Sequence, residues 1–101
     1  MAYHPPKFQW QGFLPDWDVN QYVDGFLEKL EGQAPSDSAI QLIVEKTKDQ
    51  FSGTVKVISK SGVFVSSALD PSNPIFLLKN IESDIFNQIR RWKDNREFKM
   101  G

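Results

Sequence analysis

Apolar and polar positions change period several times along the chain, and each change predicts an element. "KFQWQGF" sets Phe8 and Trp10 against Gln9 and Gln11, the two-residue period of a half-buried strand, and Gly12 breaks it. The following "FLPDWDVNQYVDGFLEKLEG" places Val19, Tyr22, Val23, Phe26, Leu27 and Leu30 on one helical stripe. Asp18 reads as the N-cap, accepting from the Gln21 N–H, with Trp17 and Tyr22 at staple positions and Gly32 as the C-terminal stop. Gly25 inside that helix costs about 1 kcal/mol relative to Ala, so either the stripe compensates or another backbone passes close to it.

After the linker "QAPSDS" come three strand-like segments. Ile40, Leu42 and Val44 alternate in the first, Phe51, Val55 and Val57 share a face in the second, and Val63, Val65 and Leu69 share one in the third. "TKDQ" and "SKSG" are short enough for hairpin connections, with Gly62 able to take positive φ. The opposite faces read Gln41, Ile43, Thr54, Lys56, Ile58, Phe64 and Ser66, mostly polar, so one face of the sheet is expected to stay open. "DPSNPIF" offers two helix caps before a proline, Asp70 and Asn73, of which Asn73 is preferred. From there Leu78, Ile81, Ile85, Ile89 and Trp92 trace an amphipathic helix to about Lys99, with Trp92 read as a core anchor. The order is β-α-β-β-β-α, an α+β two-layer sandwich in which two helices cover one face of a four-stranded sheet. A single domain is expected over residues 7–99, after a flexible N-terminus at 1–6.

Composition adds boundaries. With 101 residues, 40% hydrophobic and 25% charged, the chain suits one core, and no apolar run approaches the ~20 residues of a membrane span. "MAYHPPKFQW" shows no basic region leading into an apolar stretch, so no secretory signal is expected. The lack of cysteine excludes disulfides and thiolate chemistry and accords with a cytoplasmic location. The one histidine, His4, precedes two prolines in a segment expected to be loose, a poor setting for a base or ligand. Asp16 with Asp18, and Glu28 with Glu31, read as a cap and solvated helix positions. "SKSG" lacks the strand-to-helix context of a phosphate loop. No catalytic residue, metal site, cofactor, small-molecule substrate or membrane partner is expected.

Charge is uneven beneath a net value of -1. Residues 1–50 hold four Lys against eight Asp or Glu, whereas residues 51–101 hold eight Lys or Arg against five, so an anionic partner should meet the second half. On the last helix Lys79, Arg90 and Lys93 fall on one flank with Ser83 and Phe86, while Arg91 points elsewhere. Such a flank can neutralise phosphates and stack on a base, and equally its cations can complement the negative end of a helix dipole. A second candidate surface is apolar: Ile43, Ile58 and Phe64 on the open sheet face, with the Phe13-Leu14 loop, suited to a protein partner.

The order "FQWQGF…VNQYVDGFLEKLEG…AIQLIVEKTKDQFSGTVKVISKSGVFVSSA…NIESDIFNQIRRWK", from about Lys7 to Arg96, resembles the ribosome hibernation-promoting factors, also called the ribosome-associated inhibitor or sigma-54 modulation family. The resemblance implies the same β-α-β-β-β-α fold and a non-enzymatic protein that binds the small ribosomal subunit and silences translation under stress, its basic helices facing ribosomal RNA. The matching positions here are Lys79, Arg90, Arg91 and Lys93, with Lys29 on the first helix and Lys46, Lys48, Lys56 and Lys60 on or near the hairpins. Departures are Asp24, Glu28 and Glu31 beside a single lysine on the first helix, Phe13-Leu14 where polar or basic residues are usual, and "DPSNPIFLL" at the start of the last helix. A short form is expected, without the carboxy-terminal domain that lets long members pair ribosomes. The alternative is a diverged member of the same fold that binds a protein instead of RNA. A double-stranded-RNA-binding domain shares the α-β-β-β-α order but wants a lysine-rich start to its last helix.

Overall fold

The computed structural model describes residues 7–100, with side chains placed for residues 8–95. Its elements are β1 (Lys7–Gln11), α1 (Trp17–Gln33), β2 (Ala39–Lys46), β3 (Phe51–Ser59), β4 (Gly62–Asp70) and α2 (Pro74–Met100). The expected order, α+β class and one-sided helix layer are all found. His4 and the 1–6 segment lie outside the described residues.

Strand order in the sheet equals chain order, β1-β2-β3-β4. β1 pairs parallel with β2 and the other two pairs are antiparallel. A parallel pair needs a crossover, and α1 supplies it. Leu42, Val44, Val55 and Val57 are fully buried on one sheet face, and Val23, Leu30, Leu77, Leu78, Ile81 and Ile85 of the two helices close over them. Trp92 is half-buried at the rim of this core, edge-to-face with Phe64 at 6.1 Å between ring centroids.

Three expectations are corrected. Helix α1 begins two residues earlier than its apolar stripe suggests, because Asp16 is the N-cap: its Oδ1 accepts from the Val19 N–H at 3.0 Å. Asp18 then sits exposed in the first turn, where its charge suits the dipole, and Trp17 is exposed instead of stapled to Tyr22. At the other end the helix passes through Gly32 and stops at Ala34, which is extended (ψ 162°) because Pro35 follows and excludes the α conformation from the residue before it. Finally, β4 is turned over. Val63, Val65 and Leu69 face solvent, while Phe64, Ser66 and Ala68 face the helices. The two-residue turn at Lys60-Ser61 pairs Ser59 with Gly62 and hence Val57 with Phe64, so Phe64 must share the buried face of Val57. Gly62 takes the positive φ expected of it, +142°.

The α2 start uses both candidate residues. Asp70 Oδ1 accepts from the Ser72 and Asn73 N–H groups, and Asn73 Oδ1 caps the helix by accepting from Ile75 N–H at 2.8 Å. Helix α2 then crosses the sheet close to the backbone: a Cβ on Gly53 would lie 3.0 Å from Ile81 Cδ1 and 3.2 Å from Leu77 Cδ2. The β4 neighbours on that face are correspondingly small, Ala68 opposite Gly53 and Ser66 opposite Val55.

Two sets of outcomes follow for stability, each readable from denaturant midpoints. Asp16→Ala lowers stability by about 0.5–2 kcal/mol, whereas Asp18→Ala stays within about 0.5 kcal/mol. Gly25 has nothing within 4 Å of an added Cβ, so Gly25→Ala raises stability by about 0.5–1 kcal/mol. Gly53→Ala meets two fully buried side chains and lowers it by about 1–3 kcal/mol. Equal effects at the two glycines would contradict the close crossing of α2.

Candidate functional site

Helices α1 and α2 lie side by side and run in the same direction, as the pairs between them show. Tyr22 meets Glu82, Phe26 meets Phe86 at 6.1 Å between centroids, and Gln33 meets Lys93. Advancing along one helix advances along the other. Both negative helix ends therefore point the same way, and the cations Lys29, Arg90 and Lys93 gather toward that end.

There the helices enclose a groove of about 400 Å³ lined by Lys29, Gln33, Phe86, Ile89, Arg90, Lys93 and Asp94. Its floor is apolar, since Ile89 belongs to the core and Phe86 packs against it. Its rim is polar: Lys93 Nζ donates to Gln33 Oε1 at 2.9 Å, and Arg90 donates to Asn87 Oδ1. Lys29 Nζ stands 5.3 Å from the Phe86 ring centroid and 3.8 Å from Glu82 Oε2. With its side chain 63% exposed, that ion pair is worth at most tenths of a kcal/mol and leaves the ammonium open to another anion. A flat aromatic flanked by cations suits a phosphodiester whose base or sugar rests on the ring.

The other candidate residues are placed less uniformly. Lys79 is exposed on α2, its Nζ 6.0 Å from the Phe76 ring, about 16 Å of helix rise from Arg90. Arg91 is exposed but is absent from the groove lining. Lys56 stands on the open sheet face, away from the helices. Of the apolar candidates, Phe64 is removed from the open face by the β4 register and packs on Trp92. Phe13 is likewise withdrawn: it sits edge-on to Trp10 and Phe51 at 5.2 and 5.1 Å. Leu14 is 95% exposed, Ile58 is exposed and Ile43 is half-buried. Sequence reading missed Val63, Val65 and Leu69 as open-face residues and Trp17 as an exposed one. It also missed Gln33 and Glu82, which matter only because the two helices lie in register.

Among the described residues no group of three or more His, Cys, Asp or Glu is placed to hold a metal, and no helix is long and apolar enough to cross a membrane.

Solved structures of low sequence identity share this fold. The N-terminal domain of Protein Y from Thermus thermophilus matches over 92% of this chain and 98% of that domain, with a TM-score of 0.58 and 11% identity. A ribosomal subunit interface protein from Coxiella burnetii matches over 90% of this chain and 98% of its own, with a TM-score of 0.57 and 10% identity. At such identities the likeness establishes the fold. No protein-family model matches the sequence, and no curated protein matches it significantly.

Between the helices, Tyr22 donates its phenolic hydrogen to Glu82 Oε1. Burial first, then that hydrogen bond and the Glu82 charge, push its pKa well above the usual value. The folded state holds this proton more tightly than the unfolded one. Stability due to the pair is therefore complete below about pH 10, where an unfolded tyrosine begins to titrate, and falls as pH rises further. A 295 nm absorbance titration should show one phenol ionising late in the parent and none in Tyr22→Phe; a late component that survives the substitution would remove Tyr22 from this role.

Proposed function

We propose that this protein is a non-enzymatic, ribosome-associated factor of the cytoplasm that binds the small subunit through ribosomal RNA and silences translation under stress. Its partner surface is the groove between the C-terminal halves of α1 and α2. The observation that carries the reading is the placement of Lys29, Arg90 and Lys93 in one groove with Phe86, on a fold shared with Protein Y and a ribosomal subunit interface protein. Three cations lining one groove with an aromatic ring provide charge neutralisation and a stacking surface together. Lys79, beyond Glu82 and Asp84 on α2, and Arg91, outside the groove lining, are further cations that a large RNA surface can reach. Lys56 belongs to a different surface.

A second reading is favoured by the open sheet face, where Ile58, Val63, Val65 and Leu69 are 47, 61, 42 and 60% exposed. A protein-binding module would use that face and leave the groove cations as solvated surface.

Salt separates the two. Replacing Lys29, Arg90 and Lys93 together by Gln should leave the fold intact, since exposed charges here contribute only tenths of a kcal/mol each. Affinity for purified small subunits should fall, and the plot of log affinity against log salt should flatten by about 0.7–0.9 for each phosphate no longer neutralised. Cosedimentation with the same affinity and slope as the parent would overturn the groove as the RNA-binding surface. A parent that fails to bind at low salt would favour the open sheet face.

A further inference from the structure

The two most exposed large hydrophobic side chains in the described structure stand three residues apart, between β1 and the first turn of α1: Leu14 at 95% and Trp17 at 72%. They are held in place on both sides. Gly12 adopts φ +83° with its Cα against the Lys46 carbonyl, where an added Cβ would lie 2.3 Å from the oxygen. Phe13 is clasped between Trp10 and Phe51, and Asp16 closes the segment by capping α1. The short connection is thus tied at each end while its apolar tips point into water.

Charge along the chain around it is negative, and the cation placed beside it in space is Lys46, whose Nζ stands 5.5 Å from the Phe51 ring on which Phe13 packs. No Lys, Arg or His occurs from Phe8 to Gly25, whereas Asp16, Asp18 and Asp24 lie there and all are exposed. Phosphate, whether in RNA or on an anionic lipid surface, is repelled from such a patch. A protein surface with an apolar pocket and a basic rim is complementary to it. The geometry points to this connection as a second anchor, by which Leu14 and Trp17 enter a pocket on a basic ribosomal protein while the groove about 18 Å further along α1 holds RNA. The inference rests on the ribosome-bound reading above and adds a protein partner to it. A fixed backbone limits the ordering cost of binding, and tryptophan is the residue type that most often dominates such contacts.

The test uses the full chain and purified small ribosomal subunits. A benzophenone photo-crosslinker placed at Leu14 should yield adducts that survive ribonuclease and resolve as this chain joined to a ribosomal protein. In parallel, the Leu14→Ser, Trp17→Ser double variant, folded as judged by circular dichroism, should bind roughly 30-fold more weakly with an unchanged salt slope. That signature differs from the flattened slope expected when groove cations are removed. Cosedimentation with adducts only on RNA, or with no adduct, overturns the loop anchor and leaves the groove reading standing. So does a double variant that binds as tightly as the parent. Failure of the parent to cosediment removes the groove reading, and the loop inference falls with it.

Discussion

Everything in this fold depends on one sheet face having to be covered. The strands follow one another in chain order, and only β1 with β2 is parallel, so α1 must cross the sheet between them. Ile40, Leu42, Val44, Val55 and Val57 all point to the same side, which obliges α2 to return over that side as well. Two helices on a four-stranded sheet then lie against each other. Here they run in the same direction, in register from Tyr22 with Glu82 to Gln33 with Lys93. Parallel helices align their dipoles, so one end of the helix layer gathers negative backbone potential and the other positive. The side chains answer it: Asp16 and Asp18 stand at the N-terminal end of α1, and Lys29, Arg90 and Lys93 toward the opposite end. The groove is a product of this alignment before it is a candidate for recognition.

The same closeness bears on β4. Helix α2 passes so near the sheet that a Cβ on Gly53 would press on Ile81 and Leu77 at 3.0 and 3.2 Å, and Ala68 and Ser66 beside it are small. The turn register that sets Phe64 beside Val57 puts Ser66 and Ala68 where α2 comes close, and Val63, Val65 and Leu69 on the open face. An edge strand with exposed valines invites pairing with another chain. Gln88 of α2 reaches over and donates to the Val65 carbonyl at 2.8 Å, occupying one acceptor of the free edge. The helix therefore covers the face of β4 and also reaches its rim.

These facts set what the sequence could disclose. Period-two and helical stripes were legible wherever one face was apolar and the other polar, as in β2 and in α2 from Leu78 to Ile89, and they located every element. Asn73 was legible because proline follows it. β4 was not: Val63, Val65 and Leu69 on one face compete with Phe64 and Ala68 on the other, and alternation carries no sign when both faces are apolar. The register of a two-residue turn decides it, together with a helix whose distance from Gly53 no local pattern reports. The cap at Asp16 was masked by Asp18, an equally good cap two residues on. For the site, the cations and Phe86 were legible as one flank of α2. Their partners Lys29 and Gln33 came from another helix, and no single stripe encodes how two helices align.

Net charge bears on how such a surface can work. At -1 overall, with Asp16, Asp18 and Asp24 exposed along the first half of α1 and at its cap, the molecule has no broad positive field to draw in an anionic partner from a distance. The groove cations act within about a Debye length, about 8 Å at physiological salt. Each is also engaged already, by Glu82, Asn87 or Gln33. Electrostatics of this kind can fix where a phosphate sits once the surfaces meet, but it supplies less of the affinity than a uniformly basic helix pair would. A binding surface so arranged has to draw the remainder from buried apolar contact. Leu14 and Trp17 offer such contact beside Asp16 and Asp18, where phosphate is disfavoured, while Lys29, Arg90 and Lys93 gather at the other end of the helix layer.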